Sequence, residues 1–238
     1  MALSMRSAME SAMADALYRL LAWMSPAYPI GAFSYSHGIE TAVEEGLIKD
    51  RATLVAWLQS VLQQGTAVVD GALFAAAWRC ASAEDWPAFD SIAERAAAWR
   101  GTSEMALESR QQGGSFLSIT RTAWPHQALD AAHQRHAGEL ALPVAVALAA
   151  AAHEIALEPA LEGYLHAFTA NLISAAVRSV PLGQSDGQIA LAELLAAVHE
   201  ATEAAMAVDH LDEIGTATPL LDWCSMRHEV QYTRLFRS

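Results

Sequence analysis

The sequence predicts an all-α protein, a single-domain bundle of about ten helices with a short C-terminal tail. Three observations support this prediction. Alanine, the strongest helix former, fills 51 of the 238 positions. Apolar residues recur at helical spacing, and no stretch alternates with a period of two for long enough to form a sheet. A composition of 53% hydrophobic and 17% charged residues excludes general disorder.

The N-terminal region predicts one helix followed by a sharp loop. Residues 1–12 are interpreted as a flexible leader, with a surface helical extension as the alternative. Apolar spacing predicts a helix from Met13 to Met24, and Ser25-Pro26 ends it because the residue before proline avoids helical geometry. The loop runs to Ser36, after which helical spacing resumes.

The middle of the chain carries several helix-start and helix-stop signals. Asp50 is a predicted N-cap, and Ser82–Asp85 indicates another helix start. Gly113-Gly114 is interpreted as a break between two helices. Pro143 and Pro159 each suit the first turn of a helix, where the missing N–H costs nothing.

The last third of the chain predicts two long helices and then a tail. The helix after Pro159 runs to about Ser179, and Ser185–Gln188 fits a capping box that opens the next helix. With no linker to divide it, the chain is assigned a helical domain over 13–221 and a partner-binding tail over 222–238.

Charge and cysteine usage limit the possible functions. A net charge of −13, with a single lysine, argues against nucleic-acid binding. Cys80 and Cys224 form neither a CxxC pair nor a disulfide framework. The apolar run Leu140–Ala152 is too short to span a membrane, and Glu10 and Asp15 interrupt any signal-peptide core. We therefore expect a cytoplasmic protein without a membrane partner.

A search for catalytic motifs finds none. The chain has no GxxxxGK[ST] phosphate loop and no GxSxG nucleophile elbow. Three His-Glu pairs occur, but none continues to a second histidine as HExxH requires. Only His133 and His136 have the spacing to chelate a metal locally, so weak metal binding is left open.

Two segments depart from the pattern of a plain helical bundle. In Pro29–Glu40, proline and glycine fix a sharp loop that carries two aromatic residues and two serines besides. It is either a helix–helix corner with aromatics packed inward or a rigid surface presented to a partner. In Ser225–Ser238, arginines alternate with aromatic and aliphatic residues, giving a net charge of +2 from three arginines and one glutamate. Such a tail needs a groove, on its own protomer or on another chain.

Three motifs, in order, resemble the urease accessory protein F (UreF) family from about Leu17 to Ser238. They are Ser25-Pro26 with Pro29–Glu40, Asn171 with Ser179–Gln188, and Met226–Glu229 with Tyr232–Ser238. His37 stands where many relatives carry glutamine. The stripe Asn171, Ser174 and Arg178 is interpreted as a polar seam between helices, with a partner site as the alternative.

The resemblance implies an all-helical fold without catalytic activity of its own and a role in assembling the urease nickel centre. It implies binding to a second accessory protein (UreD, also called UreH), recruitment and regulation of the GTPase UreG, docking on apo-urease, and a homodimer within that complex. No cofactor is expected, since nickel would be handled by the complex. The alternative is a metallochaperone that carries nickel itself.

The loop and the tail supply the residues predicted to contact partners. They are Pro29, Gly31, Phe33, Ser34, Tyr35, His37, Glu40, Arg227, His228, Glu229, Tyr232, Arg234, Leu235 and Phe236.

Overall fold

α-Helices make up most of the described chain, which confirms the predicted all-α class. The structure, a computed structural model, describes the backbone of residues 2–238 and the side chains of residues 11–238, and no strand occurs in that part. The helices are α1 (Ala2–Trp23), α2 (Ile39–Glu44), α3 (Arg51–Gln64), α4 (Thr66–Ser82), α5 (Trp86–Ala98), α6 (Ser103–Ala123), α7 (Gln127–Arg135), α8 (Leu142–Ala152), α9 (Leu157–Ser179), α10 (Gln184–Glu193), α11 (Leu195–Met206) and α12 (Pro219–His228), with 3₁₀ turns at Ala32–Ser34 and Leu211–Glu213.

Two alanine-rich helices, α4 and α8, form the centre of one continuous core. Every residue of α8 from Pro143 to Ala150 is buried, as expected for a helix that is apolar on all sides. α4 packs against α3, α5, α8, α9 and α11. Small side chains allow this crowding: a Cβ added to Gly71 would lie 2.7 Å from the Cβ of Ala205 on α11. The apolar run seen in the sequence is therefore a core helix, and none of the described helices combines the length and hydropathy required to cross a membrane.

The helix starts show which capping predictions were correct. Asp50 caps α3 by accepting the Thr53 N–H at 2.9 Å, and Asp85 caps α5 by accepting the Ala88 N–H at 3.2 Å. The cap predicted at Ser185 was wrong. α10 begins two residues earlier than predicted, at Gln184 with Gly183 as N-cap, and the carboxylate of Asp186 accepts the Gly183 N–H at 3.1 Å.

The predicted break at Gly113-Gly114 was also wrong, because α6 runs without interruption from Ser103 to Ala123. The glycines serve packing instead. A Cβ on Gly113 would collide with the Leu140 carbonyl and lie 2.7 Å from the Leu142 nitrogen, so the segment entering α8 lies directly on α6.

The N-terminal segment continues α1. The helix begins at Ala2 rather than at Met13, so the backbone from Ala2 onward follows the helical extension that the sequence left as an alternative to a flexible leader. Trp23, near the end of α1, is buried against Phe116 and Trp124, which fixes this helix to the bundle.

We predict that Gly113→Ala lowers the free energy of unfolding by about 3 kcal/mol, since the backbone around Ala141 cannot move away without disturbing α8. Gly215→Ala is the matched control, because no atom lies within 4 Å of its added Cβ. Urea denaturation of both variants measures the difference, and equal stabilities would contradict the packing role assigned to Gly113.

Candidate partner-binding surface

The loop between α1 and α2 is held in a fixed shape by residues of left-handed conformation. Gly31 (φ 74°) precedes the 3₁₀ turn, and His37 (φ 53°) and Gly38 (φ 79°) precede α2. Glycine adopts such angles without steric cost. At Gly38 it also allows close approach, because a Cβ there would lie 3.3 Å from the backbone nitrogen of Ser225 on α12.

Residues 229–238, here called the terminal segment, lie along this loop. The Arg237 N–H donates to the Ser34 carbonyl at 2.8 Å, and the Ser36 N–H donates to the Ser238 carbonyl at 2.8 Å. The Ser36 hydroxyl donates to the same carbonyl at 2.5 Å. The loop and the terminal segment are thus paired through their backbones, like two short extended strands.

Glu40 fastens the terminal segment from the side of α2. Its carboxylate accepts the N–H of Leu235 at 2.6 Å and that of Phe236 at 3.0 Å. The same carboxylate is hydrogen-bonded to Nε2 of His228 at 3.0 Å. Since the Glu40 side chain is only 12% exposed, these bonds are shielded from competing water.

His228 is fully buried between two carboxylates. Its Nδ1 lies 2.8 Å from Glu104, and its Nε2 bonds Glu40, so each ring nitrogen faces an acceptor. Arg234 also reaches Glu104, at 3.0 Å. Burial raises the pKa of the Glu104 carboxyl, against the opposing effects of His228 and Arg234.

A second buried pair lies deeper. His37 bonds Glu108 at 3.2 Å through Nδ1 and the Thr66 hydroxyl at 2.9 Å through Nε2. Glu108 also accepts the Ser238 hydroxyl at 3.0 Å and the Gln112 amide at 3.2 Å. Burial opposes ionisation of Glu108, but His37, Ser238 and the nearby cation of Arg100 together lower its pKa. We call Glu40, Glu104 and Glu108, with His37 and His228, the carboxylate clamp.

The clamp rests on a further buried ion pair. Arg100 lies 2.8 Å from Asp70, which also accepts the Tyr164 hydroxyl at 2.8 Å. A second nitrogen of Arg100 donates to Ser109 at 2.9 Å. Burial and the Asp70 charge raise the pKa of Tyr164 well above its ordinary value. This pair connects α4, α6 and α9 beneath the clamp.

Above the clamp, large apolar side chains remain exposed to solvent. Phe33 is 67% exposed and Leu235 64%, and the Tyr232 ring is fully exposed. Phe236, next to Leu235, points inward under Arg178, whose guanidinium lies 4.3 Å from its ring centre. We call Phe33, Tyr232 and Leu235 the exposed face.

The structure thus divides the residues predicted to contact partners into two groups. Tyr35, His37, Glu40, His228 and Phe236 are buried or nearly so and hold the corner together. The solvent-accessible remainder of the set comprises Pro29, Gly31, Phe33, Ser34, Arg227, Glu229, Tyr232, Arg234 and Leu235. Of the two aromatic residues of the loop, Tyr35 therefore packs inward and Phe33 is exposed, and the terminal segment has a groove on its own protomer.

Sequence reasoning missed Glu104 and Glu108. Their spacing of four residues, continued by Gln112, places them on one helix face. All three residues are buried in the structure. Their position on one helix face was the signal in the sequence that could have identified them. The seam between helices predicted for Asn171, Ser174 and Arg178 was wrong, because Ser174 and Arg178 are exposed and Asn171 donates to the Ala32 carbonyl of the loop at 3.2 Å.

The histidines considered as nickel ligands do not converge. His136 bonds Asp90 at 2.8 Å, and His133 lies against Gly138. Among the residues whose side chains are described, no group of three or more His, Cys, Asp or Glu is arranged to hold a metal ion.

The fold and the site define a class of all-α proteins whose C-terminal segment is fastened to a helical corner by buried carboxylates. The chain belongs to the urease accessory protein UreF family, whose family model matches residues 48–195. It is 51% identical over 223 residues to the urease accessory protein UreF of Granulibacter bethesdensis, covering 94% of each chain.

Other relatives are similar over comparable lengths. The urease accessory protein UreF of Rhodopseudomonas palustris strain BisA53 is 47% identical, with 97% of each chain covered. That of Methylobacterium radiotolerans is 48% identical, with 92% of this chain and 96% of the relative covered. The similarity therefore extends well beyond residues 48–195, the range of the family model.

We predict that Glu108→Gln lowers the free energy of unfolding by about 2 kcal/mol at neutral pH, because charge-assisted hydrogen bonds to a buried carboxylate are lost. The folded-state pKa of Glu108 lies below its ordinary value of 4.5. Its contribution is therefore fully present above that value and is lost as the pH falls through the lower folded-state pKa.

Urea denaturation across the acid range measures this effect. The wild-type protein is expected to lose more stability on acidification than Glu108→Gln does. Glu139→Gln is the control, since the Glu139 side chain is 65% exposed. A Glu108→Gln variant with unchanged stability at neutral pH would contradict the assignment.

Proposed function

We propose that this chain is a non-catalytic scaffold for urease maturation that acts in the cytoplasm. It binds UreD/UreH and recruits or regulates the GTPase UreG, so that nickel, as cargo of the complex, is inserted into apo-urease. The observation that carries the proposal is the exposed face, whose member Leu235 is held through its backbone N–H by Glu40 of the carboxylate clamp.

The exposed face has the properties of a protein-binding anchor. Aromatic and aliphatic side chains that are costly to leave in water supply much of the binding energy when a partner covers them. The ends of the terminal segment are already bonded to the chain at Ser34, Ser36 and Glu40. A partner that binds in this arrangement loses less affinity to ordering the segment, because its backbone is held before the encounter.

Arg234 adds a polar contact to this anchor. Its side chain is 41% exposed, and its only ion pair among the described residues is the bond from Nη1 to Glu104. A guanidinium has five N–H donors in a planar fork, so donors remain for a carboxylate or carbonyl of a partner. The bond to Glu104 holds one nitrogen of the fork.

The use of the buried titratable groups supports a role without catalysis. His37 and His228 each have both ring nitrogens engaged by the clamp or by Thr66. A general acid or base must come within hydrogen-bond reach of a substrate proton, and both of these side chains are buried. In the described structure these histidines serve to join segments that are distant in sequence.

The test replaces exposed residues and leaves the clamp intact. Deleting the chain from Tyr232 onward would also remove Phe236 and Ser238, which are buried, and with them hydrogen-bond donors to Glu40 and Glu108. Point variants at Arg234 and Leu235 avoid this loss of stability.

We predict that Arg234→Ala and Leu235→Ala each weaken formation of the complex with UreD/UreH and UreG by about 30-fold, the effect of removing a hot-spot contact of about 2 kcal/mol. Size-exclusion chromatography and titration calorimetry with the purified partners measure the loss. Arg51→Ala is the control, because Arg51 has a similar exposure of 39% and pairs with Asp186 and Glu193.

Thermal unfolding followed by circular dichroism confirms that each variant is folded. Wild-type complex formation by the double variant Arg234→Ala/Leu235→Ala would refute the proposed role of the exposed face. The nickel-carrier alternative makes a different prediction, since it requires tight stoichiometric nickel binding that depends on His133 or His136.

A further inference from the structure

A cleft of about 600 Å³ opens beside the terminal segment, at Arg237. Four separate parts of the chain line it: the loop at Pro29–Tyr35, α6 near Gly114, the turn at Gly138-Glu139, and Arg237. Its volume is that of a ligand site, and serine, glutamine, arginine and glycine dominate its lining. The carboxylate clamp uses none of these side chains.

Two arginines from different elements face this cleft, and neither is neutralised by a close ion pair. Arg110 lies 4.0 Å from Glu139, and both side chains are more than half exposed, so the pair contributes little. Arg237 pairs with no carboxylate among the described side chains. Two such cations lining one cleft are unusual in a chain with a net charge of −13.

The position of Arg237 is fixed before any ligand arrives. Its backbone N–H is bonded to Ser34, and its neighbours Phe236 and Ser238 are buried. Its guanidinium lies 5.8 Å from the centre of the Tyr35 ring. The Tyr35 hydroxyl donates to the carbonyl oxygen of Gln111, which leaves the Gln111 amide N–H groups as further donors toward the cleft.

Three glycines line the cleft at positions where a side chain is disfavoured. Gly31 (φ 74°) and Gly138 (φ 77°) have left-handed backbones, and a Cβ on Gly114 would lie 2.9 Å from the Gly138 carbonyl. Only Gly31 has no atom within 4 Å of an added Cβ.

We propose that this arginine cleft, formed by Arg110, Arg237 and Gln111, binds a glutamate- or aspartate-containing segment of a partner protein. The planar forks of the two arginines match carboxylates bidentately. A phosphate site would use free backbone N–H groups, but the amides of Ser34, Tyr35 and Glu139 are already bonded to chain carbonyls. The cleft also lies beside Phe33, so an acidic segment of a docked protein can reach it.

The inference rests on the proposed function only in assuming a partner chain, and its test needs the isolated protein alone. A fluorescein-labelled hexaglutamate peptide is titrated with the protein and followed by fluorescence anisotropy, with hexaglutamine as the matched neutral peptide. We expect hexaglutamate alone to bind, with an affinity that falls as salt rises.

Arg237→Ala and Arg110→Ala are each expected to weaken hexaglutamate binding at least tenfold. Glu139→Gln is expected to tighten it, since a competing carboxylate is removed from the cleft wall. Arg121→Ala is the control, because Arg121 pairs with Asp130 outside the cleft. Circular dichroism confirms folding, and if Arg237→Ala fails to fold, the Arg110→Ala result decides.

Unchanged binding in both cleft variants, or equal binding of hexaglutamine, would overturn the proposal. Competition by inorganic phosphate at the same ionic strength tests whether the cleft prefers phosphate to carboxylate. Displacement of the peptide by phosphate more effectively than by glutamate would assign the cleft to phosphate and refute the acidic segment. None of these outcomes depends on whether the complex with UreD/UreH and UreG forms, so the two proposals fail separately.

Discussion

The organisation of the corner depends on the carboxylate of Glu40, which accepts two consecutive backbone N–H groups of the terminal segment and one nitrogen of His228. A buried carboxylate needs several donors to remain ionised, and an extended segment without a sheet needs acceptors for its N–H groups. The N–H groups of the segment supply donors to the Glu40 carboxylate, and that carboxylate supplies the acceptor that these N–H groups need. The segment can therefore lie in a defined position although it forms neither a helix nor a sheet.

This constraint also explains why polar and apolar side chains exchange their usual places at the corner. Glu104, Glu108, His37 and His228 are buried because their charges and hydrogen bonds are mutually satisfied. The backbone they fix leaves little room beneath it, so alternate side chains of the terminal segment must point outward. The arrangement that buries Phe236 also exposes Leu235. The hydrogen bonds and ion pairs of the carboxylate clamp therefore leave an apolar side chain at the surface.

Local chemistry was predictable wherever it acts within a few residues. Asp50 and Asp85 cap their helices as expected, since a cap involves only the next turn. Gly113 was misinterpreted as a helix break. Glycine is needed there because the backbone near Leu140 packs directly against it, and helical spacing does not reveal that contact. Ser185 failed as a cap because the neighbouring Asp186 supplied a competing carboxylate.

The sequence by itself determined the helical class, the core helix α8 and the two unusual segments, because composition and periodicity act over short distances along the chain. Only the tertiary structure decided which residues of those segments face outward. Glu40 and Leu235 are 195 positions apart, and Glu104 and His228 are 124 apart. Such pairings arise when helices pack, and no local pattern encodes the side of the chain that a distant carboxylate will occupy.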